Sequence, residues 1–301
     1  MRVALRFEAV TRRFGRRTAL DGLDFRAPTG TIVGLVGPNG AGKTTAFSLV
    51  GGFLRPHAGR VEILGGEGFD PWRLKGRLGV LPQDAELPDR HPVGALLVHL
   101  ARLQGLASPF RAADAALEQV RLTDRRREPV GSLSHGMRRR VAVATALLGS
   151  PELILLDEPM SGLDPMQAAS LRDVLAGLRG QTTLVVSSHD LHEVERLSDW
   201  VVMIALGRCV REGTLVEITG RAEVAHWHLS APVDPADLER LLGAGATRVK
   251  GEEIELRAGT EAALDAASVT LMGWLASRDI AVRGIRRGAG LERRFLEAAT
   301  G

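Results

Sequence analysis

The sequence is short of several things, and each shortage narrows what the chain can be. A single cysteine, Cys209, stands among 301 residues, so no disulfide framework and no cysteine-built zinc site can form within the chain. No window of 18 or more residues is continuously apolar and free of charge; even Val141 to Leu156 is broken by Ser150, Pro151 and Glu152. A bilayer-spanning helix is therefore not expected. The opening MRVALRFEAV alternates like a strand and lacks the apolar block of a signal peptide. These absences together predict a cytoplasmic address. Lysine is scarce as well, with Lys43, Lys75 and Lys250 the whole complement.

What is present describes a globular chain, 45% hydrophobic and 25% charged, long enough for a core domain and a smaller second one. The net charge is +3 and the isoelectric point about 9.7. That balance would allow nucleic acid, acidic lipid headgroups or nucleotide phosphates as partners. The basic residues, however, are interspersed with acidic ones except at Arg12-Arg13, Arg16-Arg17, Arg125 to Arg127 and Arg138 to Arg140. Runs this short read as solvated helix or loop faces.

The most informative stretch is Gly37 to Thr45, GPNGAGKTT, after the apolar run Ile32 to Val36. A buried strand, a glycine loop and a helix are expected in that order. Gly37, Gly40 and Gly42 let successive backbone N–H groups converge on one concavity, Pro38 stiffens the turn, and Asn39 and Ala41 complete the loop. The helix starting near Lys43 adds N–H groups that lack intrahelical partners, which an anion satisfies. Lys43 can reach the outer phosphates of a nucleotide, and the Thr44 hydroxyl, beside Thr45, can meet the magnesium ion that travels with it. The stretch fits G-x-x-x-x-G-K-[ST], and with three lysines in the chain a chance match is rare.

The remaining residues fall into place around it. Val3 to Val10 and the segment around Leu20 to Phe25 alternate, predicting an antiparallel pair with Phe14 in the turn region between. Phe14 could stack on a purine or pack the sheet edge. A helix through about Gly51 and strands near Arg60 to Leu64 and at Leu78 to Leu81 follow. The last of these strands ends at Gln83, which by itself is a polar group able to reach metal-bound water or a plain surface amide. Val93 to Gly105 and Ala112 to Leu122 have helical periodicity and predict a helical lobe over about 85–150. Ser134 and Gly136 precede the helical run Arg138 to Leu148, as a helix cap or a second phosphate site. Leu153 to Leu156 reads as a central parallel strand closed by Asp157 and Glu158, at the sheet edge where ligands of open α/β sheets bind. There Asp157 could hold a magnesium ion and Glu158 could take a proton from attacking water. Asp164 and Pro165 open another helix, and Thr182 to Val186 is a buried strand followed by His189, a residue type more often structural than catalytic.

In this order the motifs resemble those of the ATP-binding subunit of an ABC transporter, over about residues 1–220. Gly37 to Thr45 is similar to the Walker A loop, Gln83 to the Q-loop, Leu133 to Met137 to the signature and Leu153 to Glu158 to Walker B. Ser161 to Asp164 resembles the D-loop, His189 the switch histidine and Phe14 the adenine-stacking aromatic. The resemblance implies a P-loop α/β core, a mixed sheet with antiparallel edge strands and a helical lobe, that binds ATP with Mg²⁺. It implies that Glu158 polarises the attacking water, His189 touches the γ-phosphate, and Gln83 links magnesium to the lobe facing a separate integral membrane permease. It implies further that Ser134 and Gly136 close on the ATP of a second copy, as a head-to-tail homodimer. One departure stands out: Leu-Ser-His-Gly-Met replaces the family's Leu-Ser-Gly-Gly-Gln. If His135 needs positive φ, it costs roughly 1 kcal/mol against glycine, and slower or pH-sensitive turnover is expected. A soluble relative acting on nucleic acid or ribosomes is the alternative; the paired cassettes, long coiled coils and zinc-ligand cysteines of such proteins are missing. A P-loop kinase or GTPase has no use for Ser134, Gly136 and His189 together.

Residues 221–301 change character. Ala225 to Leu229, Pro235 to Leu242, Thr247 to Lys250, Glu253 to Leu256, Glu261 to Ser277 and Ile280 to Ile285 read as βαββαβ, predicting a small α+β accessory domain of ferredoxin-like order. A closing helix is expected over Leu291 to Ala298. Its Leu291 to Glu297 segment resembles the tail of accessory domains in exporter-type ABC ATPases.

Overall fold

The computed structural model describes residues 2–220 and 223–288, together with Leu291, Arg294, Phe295 and Ala298. The chain forms two compact units, 1–213 and 214–301. The division lies before the short helix Leu215–Thr219, earlier in the chain than the boundary expected near residue 220.

The first unit opens with two long strands paired antiparallel, β1 (Val3–Phe14) and β2 (Arg17–Pro28). Leu5, Phe7 and Val10 of one and Leu23, Phe25 and Ala27 of the other are buried, and the Phe7 and Phe25 rings stack with centroids 4.5 Å apart. Phe14 is the last residue of β1, paired with Arg17, and not part of a free turn. After β3 (Ile32–Val36) and α1 (Lys43–Val50), strands β4 (Ala58–Ile63) and β5 (Gly66–Glu67) complete a sheet of order β2-β1-β4-β5.

The second sheet holds β3 at its middle. The single-turn helix α2 (Pro71–Leu74) leads into β6 (Leu78–Leu81), followed by α3 (Val93–Leu103), α4 (Pro109–Gln119) and α5 (His135–Leu147). Then come β7 (Leu153–Leu156), α6 (Pro165–Ala176), β8 (Thr183–Ser188), α7 (Leu191–Leu197), β9 (Trp200–Ala205) and β10 (Arg208–Thr214). The order is β10-β9-β3-β8-β7-β6, with β6, β7, β8, β3 and β9 parallel. Strands covered on both faces read as unbroken apolar runs, and β3, β7 and β8 are buried along their whole length. Alternate residues feed different cores. Ile154 and Leu156 join Leu97, Leu117 and Val141 of the helices, whereas Leu153 and Leu155 join Phe7, Phe25 and Phe47. At roughly 1.5–3 kcal/mol for each fully buried leucine, β7 is held from both sides. All five parallel strands point the same way, so the residues after β3, β6, β7 and β8 gather at one sheet edge.

The second unit starts with α8 (Leu215–Thr219), whose N-terminus carries a reciprocal cap between Thr214 and Glu217. Strands β11 (Val224–Leu229), β12 (Thr247–Lys250), β13 (Glu253–Arg257) and β14 (Val282–Arg287) form a sheet of order β12-β13-β11-β14, antiparallel at every pairing. Helix α9 (Pro235–Leu242) follows the first strand and α10 (Glu261–Ala276) the third. Ala225, Trp227, Leu229, Ile254 and Leu256 from one face of the sheet pack with Leu238, Leu264, Leu271 and Leu275 of the helices. The helix expected over Leu291 to Ala298 lies largely outside the described residues.

Candidate active site

The loop after β3 needs glycine for two separate reasons. A Cβ on Gly37 would stand 2.1 Å from the Ile204 carbonyl oxygen, and Gly42, with φ of 112°, caps α1 in a conformation that side chains rarely adopt. Gly42 brings no side-chain oxygen to the first turn of α1, which also carries no acidic residue. The N-terminal N–H groups there are left for an incoming anion. Ala41 is buried and donates its N–H to the Pro38 carbonyl at 3.1 Å.

Lys43 lies inside this loop, 5% exposed, and its ammonium donates to the carbonyls of Gly37 at 2.7 Å and Pro38 at 3.3 Å. Its Nζ is also 3.6 Å from Glu158 Oε1, while Glu158 Oε2 is 3.1 Å from His189 Nδ1. Three residues from three separate segments are thus joined through one carboxylate. Phe14 and Arg17, the stretch Asn39, Gly40 and Gly42 to Thr45, and the strand-end residues Gln83, Glu158, Ser161 and His189 line a single cavity of about 550 Å³. The Arg12 guanidinium sits 4.9 Å from the centre of the Phe14 ring, which is 45% exposed. One face of that ring therefore already has a cation neighbour.

Glu158 adopts φ of 45°. For a residue with a side chain this region costs roughly 1–2 kcal/mol, so the surroundings must hold it. Its N–H donates to Ser187 Oγ at 2.8 Å and its carbonyl accepts from Arg139 Nη2 at 2.8 Å. The same Ser187 hydroxyl donates a short hydrogen bond to Asp157 Oδ1. Asp157 itself is 1% exposed. Thr44, Gln83 and Asp157 offer oxygen donors only, the set a hard cation such as magnesium takes. Among the described residues no group of three or more histidine, cysteine or acidic side chains is placed to hold a metal ion.

Other predicted residues lie apart from this cavity. Ser134 is the N-cap of α5, accepting the Met137 N–H at 3.3 Å, and Asp164 is the N-cap of α6, accepting the Gln167 N–H at 2.9 Å. Gly136 is buried, and a Cβ there would meet the Gln167 side chain at 2.3 Å. His135 is the first residue of α5 and is absent from the positive-φ residues. The backbone strain foreseen for it does not exist, because the helix starts one residue after Ser134 and takes His135 in with ordinary helical geometry. The slower turnover expected from that strain loses its basis.

Two functional neighbours, Arg139 and Ser187, were missed by sequence reasoning. Arg139 belongs to a run read as a solvated face, and nothing in the sequence separates it from Arg138 and Arg140. Ser187 lies next to last in β8, two residues before His189, and a buried hydroxyl there looks like strand-end polarity. Burial holds the Arg139 guanidinium below the usual arginine range, opposed by Asp157, Asp84 and Glu158.

The family model for ABC transporters matches residues 20–161. The daunorubicin resistance ATP-binding protein DrrA3 of Streptomyces coeruleorubidus is 39% identical over 219 residues, 71% of this chain and 69% of that one. The chain belongs to the ABC transporter family. A second ABC relative, the Nod factor export ATP-binding protein I of Burkholderia thailandensis, is 36% identical over 258 residues, covering 82% and 84% of the two chains. The solved ATP-binding cassette MJ1267 superposes with a TM-score of 0.65 at 25% identity, covering 71% of this chain and 92% of its own. As an ABC ATP-binding subunit the protein is an ATPase coupled to transport, and the permease it powers is a separate chain. No helix among its described residues is long and apolar enough to cross a membrane.

Proposed function

We propose that this ATPase drives an exporter as a homodimer that closes around two ATP molecules, with residues 1–220 as the ATP-binding domain and 221–301 as an accessory domain. The observation that carries the reading is the convergence of Lys43, Glu158 and His189 on one cavity that also includes Phe14, Gln83 and the glycine loop. Export is favoured by relatives named for drug resistance and for Nod factor export. The protein works at the inner face of the cell membrane, held there by its permease.

In this reading the adenine lies on Phe14, and the N–H groups from Asn39 to Thr45 take the phosphates. Magnesium, held by Thr44, Gln83 and Asp157, would neutralise charge on the triphosphate. Lys43 leaves its carbonyl acceptors for the outer phosphates. Glu158 accepts the proton of the attacking water, and His189, bonded to the same carboxylate, orients it and touches the γ-phosphate. Ser134 and Gly136 serve the nucleotide of the partner copy, which explains why they lie away from the cavity of their own chain, and Asp164 lies at the contact between copies. Catalysis is then positioning and charge neutralisation.

Glu158→Gln tests this directly. Loss of a general base lowers the rate by about 10²–10⁴, so hydrolysis should fall at least about 100-fold while ATP binding persists. Sedimentation with ATP and magnesium should show a dimer. Undiminished hydrolysis would remove Glu158 from its role, and a variant that stays monomeric beside its permease would remove the closed dimer.

A further inference from the structure

Arg139 projects from the first turns of α5, four residues after the first helical position. Its neighbour Arg138 approaches Asp89 at 4.0 Å, but Arg139 turns onto backbone. Its Nε donates to the Pro159 carbonyl at 2.9 Å and its Nη1 to the Gln83 carbonyl at 3.2 Å. Its Nη2 donates to the carbonyls of Asp157 at 3.1 Å and Glu158 at 2.8 Å. One planar group thereby joins the helix capped by Ser134, the segment at Gln83 and the turn that follows β7. A guanidinium fork can serve four acceptors in this way; an ammonium on a flexible stem cannot.

Which acceptors it chooses matters as much as how many. A cation this close to Asp157 and Glu158 could have paired with their carboxylates. It takes their main-chain carbonyls instead, so both Glu158 oxygens stay directed at Lys43 and His189. The Glu158 peptide groups are pinned on both sides, by Ser187 at the N–H and by Arg139 at the carbonyl. Between those two bonds lies the positive φ that sets where the carboxylate points.

We propose that Arg139 is a positioning residue for ATP hydrolysis: it holds the main chain of Glu158 in its left-handed conformation and makes the aim of that carboxylate depend on where α5 and the Gln83 segment stand. The proposal rests on the reading of Glu158 as the group that activates water. A displacement of the α5 N-terminus relative to β7 is then transmitted to the carboxylate through hydrogen bonds, without any contact between Arg139 and the nucleotide.

The test uses the full chain with Arg139→Lys, which keeps the charge and loses the fork, and Arg139→Gln, which loses the charge and keeps two N–H donors. Misplacing a catalytic group by about 1 Å costs on the order of 100-fold. The expected result is a kcat lower by about 10- to 100-fold in a folded variant whose KM for ATP and binding of a fluorescent ATP analogue stay close to those of the parent, with the unfolding midpoint lowered only by the lost hydrogen bonds. In the Glu158→Gln background the residual hydrolysis should fall no further when Arg139 is changed, because residues acting as one unit are not additive. Parental kcat in a folded variant overturns the proposal, as does a loss that multiplies with that of Glu158→Gln. Failure of both variants to fold also overturns it, since Arg139 would then be a strut of the fold. If Glu158→Gln alone hydrolyses at the parental rate, it is the reading of Glu158 that fails, and the single variant reveals this before the double one is made.

Discussion

Lys43 and Glu158 sit 3.6 Å apart with 5% and 8% of their side chains exposed. Two charges this deep are tolerated only while each has partners, and removing one strands the other. Here the partners are unequal. Lys43 keeps the Gly37 and Pro38 carbonyls, but Glu158 without Lys43 has, among the described residues, His189 as the one side chain bonded to its carboxylate, with Arg139 turned onto its main-chain carbonyl. Lys43→Ala should therefore lower stability by up to about 3 kcal/mol, beyond its effect on nucleotide binding. Adding Glu158→Gln should restore much of that loss, because an amide leaves no charge to strand. Unfolding midpoints of the two single variants and the double variant measure it; additive losses would show that the pair is not coupled. At His135 a single-residue departure misled for a different reason. The signature motif is defined by which residues sit at a helix start, and the first helical position accepts any side chain that points outward.

At the scale of elements, caps fix where the site segments begin. Asp164 closes the first turn of α6 through the Gln167 N–H, and Pro165 follows it at the first helical position. Asp164→Ala should cost about 1 kcal/mol, whereas Asp164→Asn, which keeps a capping oxygen, should melt close to the parent. If the two variants hydrolyse ATP equally while differing in stability, Asp164 is a cap alone; a loss of activity in Asp164→Asn marks a role between copies. Elements with a strong period or a hard stop were legible in the sequence. Strands β6 and β7 and helix α9 begin and end where the apolar runs and the Pro235 start predicted. Strands β1 and β2 run further than their alternation, since Arg12, Arg13 and Arg17 extend the pairing on a partly solvated hairpin where no apolar period is needed. Helix α2 has four residues, too few for periodicity, though Asp70 and Pro71 form a start signal. Strand β10 is mostly solvent-facing and carries no alternating pattern. The residues that carry charge chemistry at strand ends were visible because a parallel sheet brings strand ends together. Arg139 and Ser187 were not: Arg139 donates to main-chain carbonyls, Ser187 accepts the Glu158 main-chain N–H as well as bonding Asp157, and a backbone partner leaves no mark in the sequence.

For the molecule as a whole, the carboxylates with shifted affinity for protons pull stability in opposite directions. Glu152 is held below the ordinary carboxylate range by its hydrogen bonds to Arg77, which tie the start of β7 to the start of β6. Its contribution is fully present above the unfolded value and fades as pH falls through the lower folded one. Both side chains are more than a third exposed, so solvent screening keeps the contribution within about 1 kcal/mol. Glu193 on α7 goes the other way. Burial, and then the neighbouring Asp190, raise it above its usual 4.5, against the opposing pull of Arg172, His189 and Ser188. The folded chain thus holds the Glu193 proton more tightly than the unfolded one. Raising pH from 4.5 through the folded value costs stability that is not regained above it. Glu193→Gln removes that cost. Its unfolding midpoint should match the parent near pH 4.5 and exceed it at pH 7.5, with the gap opening between. A gap of the same size at both pH values would trace the change to packing beside His189 and not to the buried charge.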